Sequence, residues 1–368
     1  MLVAGVSTAH YLPWLLFTLF SGVAVDRVER RTLIVCGNVA RVVAVAILAL
    51  AFLHEKPPLL LLYAVVFTVG LAETVVENAS ISVVPAVVPR ERLDWANGRV
   101  YATFTVADQL AGPAVAGTLF TFSASLAVFT GSAAFLIAAV AAAFVRGITA
   151  RPGDASVGRS VAADLRAGFA YFWSDRLMRE LAIQAAVFNF AGGVVSGVLV
   201  LAVTGPMGLS AMQFGMFLAF TALGGVAAGF TAQRVIGHLG RGTVLLLGAV
   251  VSSTGMLLVA LTFNPVVSGT ALFFIAATTT YGQVVTSTQR QATIPSHLLG
   301  RVVSVFRLVG LGVIPFGALV GGLLAQRFGL ASVFLVAALA HAGNGAFILG
   351  RLSNRRLRLP PQASAANS

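Results

Sequence analysis

The sequence predicts an all-α membrane protein, and three features carry that prediction: an apolar composition, apolar runs of one length, and a one-sided distribution of arginine. Of 368 residues, 58% are hydrophobic and 10% charged, with a mean hydropathy of +0.93. A soluble domain holds about 45–50% apolar and about 25% charged residues. The apolar residues fall in runs of roughly 20, the length that crosses about 30 Å of hydrocarbon at about 1.5 Å per residue. Such runs are helical, because membrane strands alternate over about 10 residues and only helices and closed barrels satisfy the backbone in lipid.

Eleven spans follow in order. The first, 3–25, starts directly as an apolar run, with neither the basic region nor the A-x-A site of a cleaved signal peptide. The charged turn "DRVERR" separates it from the second, 32–53, which carries Arg41 well inside it and Cys36 near its start. Cys36 is the one cysteine, so no intramolecular disulfide forms, and it reads as a small buried apolar residue. The third, 59–83, holds Glu73 and Glu77; the fourth, 99–121, holds Asp108 ahead of Gly112 and Pro113. The remaining spans are 125–146, 181–204, 213–233, 243–263, 266–288, 302–325 and 331–350, with Arg307 inside the tenth.

Formal net charge is +12, and 23 of the 24 basic residues are arginine. They cluster in alternate loops: 26–31, 84–98, 147–180, 234–242, 289–301 and the tail 351–368. The opposite loops hold only Lys56 and Arg327. That is the positive-inside pattern of a cell-membrane protein with cytoplasmic linker and tail, not the contiguous basic face of a nucleic-acid binder. An odd number of spans agrees, since the first then starts outside and the tail ends inside.

The connector 147–180 divides the chain. It opens "GITARPGDASVGRS", a Gly/Pro/Ser-rich linker, and continues with Leu165, Phe169 and Phe172 at helical spacing. An amphipathic helix lying on the membrane surface is expected there. The parts on either side resemble each other. "SGVAVDR" (21–27) matches "AGFTAQR" (228–234), pairing Gly22 with Gly229 and Arg27 with Arg234, while Pro89 pairs with Pro295 at nearly the same offset. A duplicated half implies two pseudo-symmetric helical bundles: 1–146, then the linker 147–180, then 181–350, with 351–368 as tail. On this offset the first bundle lacks its first span.

"GVAVDRVERR" resembles the cytoplasmic signature between the second and third helices of the major facilitator superfamily, matched by Gly22, Asp26, Arg27, Arg30 and Arg31. The stretch from "GLAETVVENAS" to "AGPAVAG" and the connector's "ADLRAGFAYFWSDRLMRELA" are similar to bacterial exporters of the enterobactin and macrolide-efflux type, including actinobacterial drug-efflux proteins. The resemblance covers nearly the whole chain. It implies the major facilitator fold, twelve helices where this chain shows about eleven, and alternating access. By the same resemblance the chain begins just before the family's second helix, and Gly112, Pro113 and Gly117 stand for the helix-five pattern of exporters.

Several residues then become candidates. Asp26 sits where it can pair with an arginine or with helix N-terminal amides, while Arg27, Arg30 and Arg31 are expected to face the inner leaflet; a latch on the cytoplasmic side is the expected role. A topogenic charge cluster explains the arginines equally, but not the acid. Charged residues inside spans are costly and mark ion or substrate pathways. Glu73, Asp108, Glu77 and Arg41 are therefore candidates for proton coupling or substrate contact, with a static pair to Arg41 as the plainer reading. Phe17, Phe67, Phe104, Phe188, Gln184, Asn189, Gln283 and His341 could line an amphipathic cavity. The glycine runs 192–197 and 224–229 read as close helix packing.

No nucleophile elbow, phosphate loop or HExxH occurs, so no enzyme, cofactor or metal is expected. The expectation is a secondary active transporter with a small-molecule substrate, protons and the lipid bilayer as partners, working as a monomer. A proton-driven exporter of lipophilic or cationic molecules leads. An uptake symporter and a truncated, non-transporting membrane protein remain open beside it.

Overall fold

A computed structural model describes residues 2–54, 58–145 and 160–359. The described regular structure is helical throughout. Helices α1 (Leu2–Arg27), α2 (Arg30–His54) and α3 (Leu59–Val87) precede a short 3-10 turn; α4 (Leu93–Thr105), a π turn (Val106–Ala111), α5 (Gly112–Phe122) and α6 (Ala124–Phe144) follow. After α7 (Val161–Ser174) come α8 (Arg176–Ser196), α9 (Leu199–Thr204), α10 (Ala211–Leu239), α11 (Arg241–Thr262) and α12 (Pro265–Thr293). The described chain closes with α13 (Leu299–Leu311), α14 (Ile314–Phe328) and α15 (Leu330–Arg351).

Among the described residues every expected span falls on helix, and six of these helices, together with the stretch Leu299–Phe328 that joins α13 and α14, are long and apolar enough to cross a membrane. The expected fourth, sixth and tenth spans are interrupted. In the fourth the cause is Pro113, which has no N–H to give the carbonyl one turn back, and the turn before it widens to the π form. Large apolar side chains such as Leu136, Ile137, Leu319 and Leu339 stand exposed on these helices, as on a surface solvated by lipid rather than water. Cys36 is among the exposed residues; it lies on the outward side of α2, not in the core expected for it.

Two compact units make up the chain. The first comprises Met1–Pro89, Ala111–Asp175 and Ile294–Leu308; the second comprises Arg90–Leu110, Arg176–Thr293 and Val309–Ser368. In the first, α1 packs on α3, and α2 on α3 and α6, around Val25, Ile34 and Ala79 at one level and Ala44, Leu48 and Val65 at another. In the second, α11 packs on α15 and α12, α10 on α12 and α4, and α8 on α14. Its core gathers Ala191, Val203, Phe217, Met256, Val259 and Phe334.

The glycine runs act as expected in part. A Cβ at Gly193 would lie 2.5 Å from the Ile314 carbonyl, and one at Gly317 or Gly321 would overlap the backbone of α8, so α8 and α14 meet backbone to backbone. Gly192 and Gly197 face open space. The tight turn between α10 and α11 needs Gly240, whose φ is +82°. Asn354 staples that turn, donating to the Leu239 carbonyl at 3.1 Å and accepting from the Thr243 amide at 3.1 Å.

The connector helix is present, but with a different inner face. Ser160 caps it, accepting from the Ala163 amide. Its buried stripe is Asp164, Gly168 and Phe172, whereas Leu165 is half-buried and Phe169 exposed. Hydrophobic spacing pointed to Leu165, Phe169 and Phe172; the ion pairs of Asp164, described next, turn the helix instead. Residues 146–159, with the Gly/Pro/Ser-rich part of the linker, lie outside the described residues.

Candidate functional site

The first unit brings together four charges from three places far apart in sequence. Asp26, just beyond the span 3–25, accepts hydrogen bonds from the backbone amides of Gly300 at 3.0 Å and Arg301 at 3.1 Å. These are free amides at the N-terminus of α13, so Asp26 caps that helix from another part of the chain, where a negative charge is favoured by the helix dipole. Arg301 Nε lies 3.0 Å from Asp26 Oδ2, and its Nη1 lies 2.9 Å from Asp164 Oδ1. Arg27 closes the row, donating through Nε at 2.8 Å and Nη2 at 2.5 Å to Asp164 Oδ2. Both carboxylates are wholly buried, and Arg301 nearly so.

Small residues make this approach possible. A Cβ on Gly300 would lie 2.6 Å from the Gly22 carbonyl and 2.7 Å from Asp26 Oδ1, and one on Gly22 would lie 2.6 Å from the Gly300 carbonyl. Gly168 does the same for α7, since a Cβ there would lie 2.8 Å from Arg301 Cβ. Burial pushes the Asp26 carboxyl up from 3.8 to about 7, against the opposing pull of the Gly300 amide and of Arg301.

Of the signature arginines, none simply faces the leaflet. Arg27 holds Asp164, Arg30 is buried beside Asp26, and Arg31 donates through Nη2 to the Ala143 carbonyl. Inward acceptors outcompete water here because each guanidinium finds a carboxylate or a free carbonyl at the end of a neighbouring helix.

A second polar layer lies within the membrane part of the same unit. Arg307 on α13 pairs with Glu77 Oε1 at 2.7 Å, donates to Asn78 Oδ1 at 3.0 Å, and stands 4.1 Å over the Trp14 ring. Asn78 in turn donates to Ser21 Oγ at 2.5 Å. Arg41 on α2 lies over Phe135 at 5.1 Å and within electrostatic reach of Glu73 and Glu77. Thus Arg41, Glu73, Glu77 and Arg307 form one group of two acids and two bases, as a charge in low dielectric requires.

The other expected residues are placed elsewhere. Asp108 is exposed on the π turn of the second unit. Gly112, Pro113 and Gly117 open α5, where none of the described residues is buried, and a Cβ on Gly117 would meet nothing within 4 Å. Phe17 and Phe67 meet edge to face at 6.4 Å, and Phe188 meets His341 at 4.9 Å. Asn189 donates to the Gly310 carbonyl at 2.8 Å. Among the described residues no group of His, Cys, Asp or Glu could hold a metal ion.

Sequence reasoning missed Asp164, Arg301 and Asn78. One signal for Arg301 was available: Gly300, Arg301 and Val302 repeat Gly98, Arg99 and Val100. The second unit uses that repeat in a related contact. Gly98 and Gly229 meet backbone to backbone, a Cβ on Gly229 lying 2.5 Å from the Gly98 carbonyl. Around them Asn97 donates to Thr288 Oγ1 at 3.0 Å and to Gln291 Oε1 at 2.7 Å, Tyr101 and Ser287 share a hydrogen bond of 2.8 Å, and Arg241 pairs with Asp94 at 2.7 Å.

Three known proteins of similar structure are transporters. The human organic anion transporter MFSD10 (TETRAN) is 17% identical, with a TM-score of 0.78 over 94% of this chain and 83% of that one. A bacterial homologue of the iron transporter ferroportin, in an outward-facing state, is 18% identical, with a TM-score of 0.74 over 95% and 90%. The E. coli fucose:proton symporter FucP is 14% identical, with a TM-score of 0.74 over 95% and 90%. No curated protein matches in sequence. At these identities the structures establish the fold alone, but the sequence model of the Major Facilitator Superfamily matches residues 2–315, and the chain belongs to that superfamily.

Proposed function

We propose that the protein is a secondary active transporter of the cell membrane that exports small lipophilic or cationic molecules in exchange for protons, as a monomer working by alternating access. The moving parts in this reading are the bundles 1–146 and 181–350, tied by the linker 147–180, with linker and tail 351–368 on the cytoplasmic side. Two observations favour export: the likeness to enterobactin and macrolide exporters, and Gly112, Pro113 and Gly117.

One observation carries proton coupling: Glu77 is ion-paired to Arg307 of α13, two turns beyond the residues that Asp26 caps. Together they form a two-layer latch. The outer layer is Gly22, Asp26, Arg27, Asp164 and Arg301, with Arg30 and Arg31 buttressing it; the inner is Glu77, Asn78 and Arg307. With both layers made, the cytoplasmic side is shut. A proton reaching Glu77 removes the ion pair but leaves the Asn78 bond to Arg307, so the inner layer loosens first. Glu73 and Arg41 stand beside it, and Asp108, exposed on the π turn of the second unit, is kept as a separate candidate. Deprotonation toward the cytoplasm restores Glu77 for the next cycle, which is the logic of an antiporter.

The test is transport in proteoliposomes with and without an imposed proton gradient, using a fluorescent lipophilic cation. Wild type is expected to move it only with the gradient, and Glu77→Gln or Glu73→Gln to lose gradient-driven movement while retaining exchange. Full gradient-driven activity in Glu73→Gln, Glu77→Gln and Asp108→Asn alike would remove the coupling assignment.

A further inference from the structure

The second unit repeats the outer latch with its acids missing. Gly229 and Gly98 hold the place of Gly22 and Gly300, and Arg99 and Arg234 hold the place of Arg301 and Arg27. Gln233 stands where Asp26 would be, and among the described residues no acid lines the space beside Arg99 and Arg234 as Asp164 does beside Arg27 and Arg301. Among the described residues neither Arg99 nor Arg234 forms an ion pair. Asp94, next to Trp95 in the chain, is already engaged by Arg241 at 2.7 Å.

The space left by the missing acids is a cavity of about 390 Å³, lined by Trp95, Arg99, Gly229, Phe230, Gln233 and Arg234. Arg99 is half-buried, its guanidinium 4.1 Å over Phe230 and 5.7 Å over Trp95. The rings hold its position but supply no negative charge. Both aromatic residues are otherwise exposed, so the cavity lining combines cations with exposed apolar surface. The cavity also lies at the arginine-rich ends of the helices, where headgroups are found and where basic pockets between helices take anionic ones.

We propose that this cavity binds the phosphate of an anionic phospholipid, which supplies to Arg99 and Arg234 the negative charge that Asp26 and Asp164 supply to Arg301 and Arg27. The phosphate is held bidentately by the guanidinium fork of Arg99 and by Arg234, with Gln233 able to donate its amide. The glycerol and the first methylenes lie against Trp95 and Phe230. One copy of the repeat is thereby closed by its own carboxylates, and the other by a lipid. A free phosphate ion has the same headgroup chemistry but gains nothing from the rings.

The test uses the purified full chain equilibrated in phosphatidylcholine vesicles with or without phosphatidylglycerol, followed by native mass spectrometry of retained lipid. Wild type is expected to retain phosphatidylglycerol over phosphatidylcholine. The double variant Arg99→Gln, Arg234→Gln is expected to lose about tenfold of that preference, the scale of lost charge-assisted hydrogen bonds. Gln233→Glu keeps both arginines and puts a carboxylate in the cavity; it is expected to lose a similar factor while unfolding no earlier than wild type. A wild type without lipid preference, or a Gln233→Glu protein that retains as much phosphatidylglycerol as wild type, overturns the proposal. So does full displacement of the retained phosphatidylglycerol by millimolar inorganic phosphate, which would make a free phosphate ion the occupant.

Discussion

Two regions of this molecule start from the same seven-residue pattern and end in opposite electrostatic states. At 21–27 the glycine brings α1 against α13, and Asp26 lies under a helix N-terminus with Arg301 beside it. At 228–234 the glycine brings α10 against α4 just as closely, but Gln233 is exposed and Arg99 rests on aromatic rings. The backbone contact has survived duplication in both places; the charge pairing stands in one. Glycine sets whether the helices can meet, and the acids set how firmly they are held once they do.

The largest effect should come from the acid shared by two arginines. Asp164→Ala leaves Arg27 and Arg301 without that carboxylate, and breaking a buried pair in this way costs about 3–5 kcal/mol. Thermal unfolding in detergent is expected to start several degrees lower; a change under a degree would mean that α7 is not part of the latch. Asp26→Ala should come next, at about 2–4 kcal/mol for a charge-assisted cap and its ion pair, whereas Gln233→Ala at the matching exposed position should stay within about 0.5 kcal/mol. Equal losses at the two positions would erase the contrast between the copies.

A smaller, pH-dependent effect sharpens the same contrast. The Asp26 carboxyl sits at 3.8 when free and about 7 when buried in the latch, so the latched state holds its proton more tightly than the released one. Its contribution to stability is full below about pH 4 and is lost as pH rises through about 7. Wild type should therefore soften between about pH 4 and about pH 7, while Asp26→Asn should lack that part of the slope; parallel slopes in the two proteins would refute the buried-carboxyl picture. The smallest effect belongs to the second unit's own ion pair. Asp94 and Arg241 are each partly exposed, and Asp94→Asn should cost no more than about 1 kcal/mol, read from the same melting curves.

The membrane architecture was legible in the sequence because hydrophobic length and arginine placement are local properties, readable without knowing any contact. The partner of Asp26 was legible only in kind, as an arginine or helix amides. Its identity was not, because the partners lie 274 and 275 residues away. Asp164 was missed for a related reason. On α7 it looks like one solvated charge of an amphipathic helix, and nothing nearby indicates that two arginines, each 137 residues away and on opposite sides in the chain, bury it. Glu77 shows the same limit: helical spacing pairs it with Glu73, while Arg307 comes from a helix 230 positions on.

The chain has three tryptophans, and each stands beside one of the features described. Trp14 lies under Arg307, Trp95 borders the cavity beside Arg99, and Trp173 is the neighbour of Phe172 on the connector helix, 6.0 Å ring to ring. The protein thus carries its own optical readout. With two of the three replaced by phenylalanine, the emission of the one that remains reports separately on the inner latch layer, the second copy of the repeat, or the connector, with no dye attached.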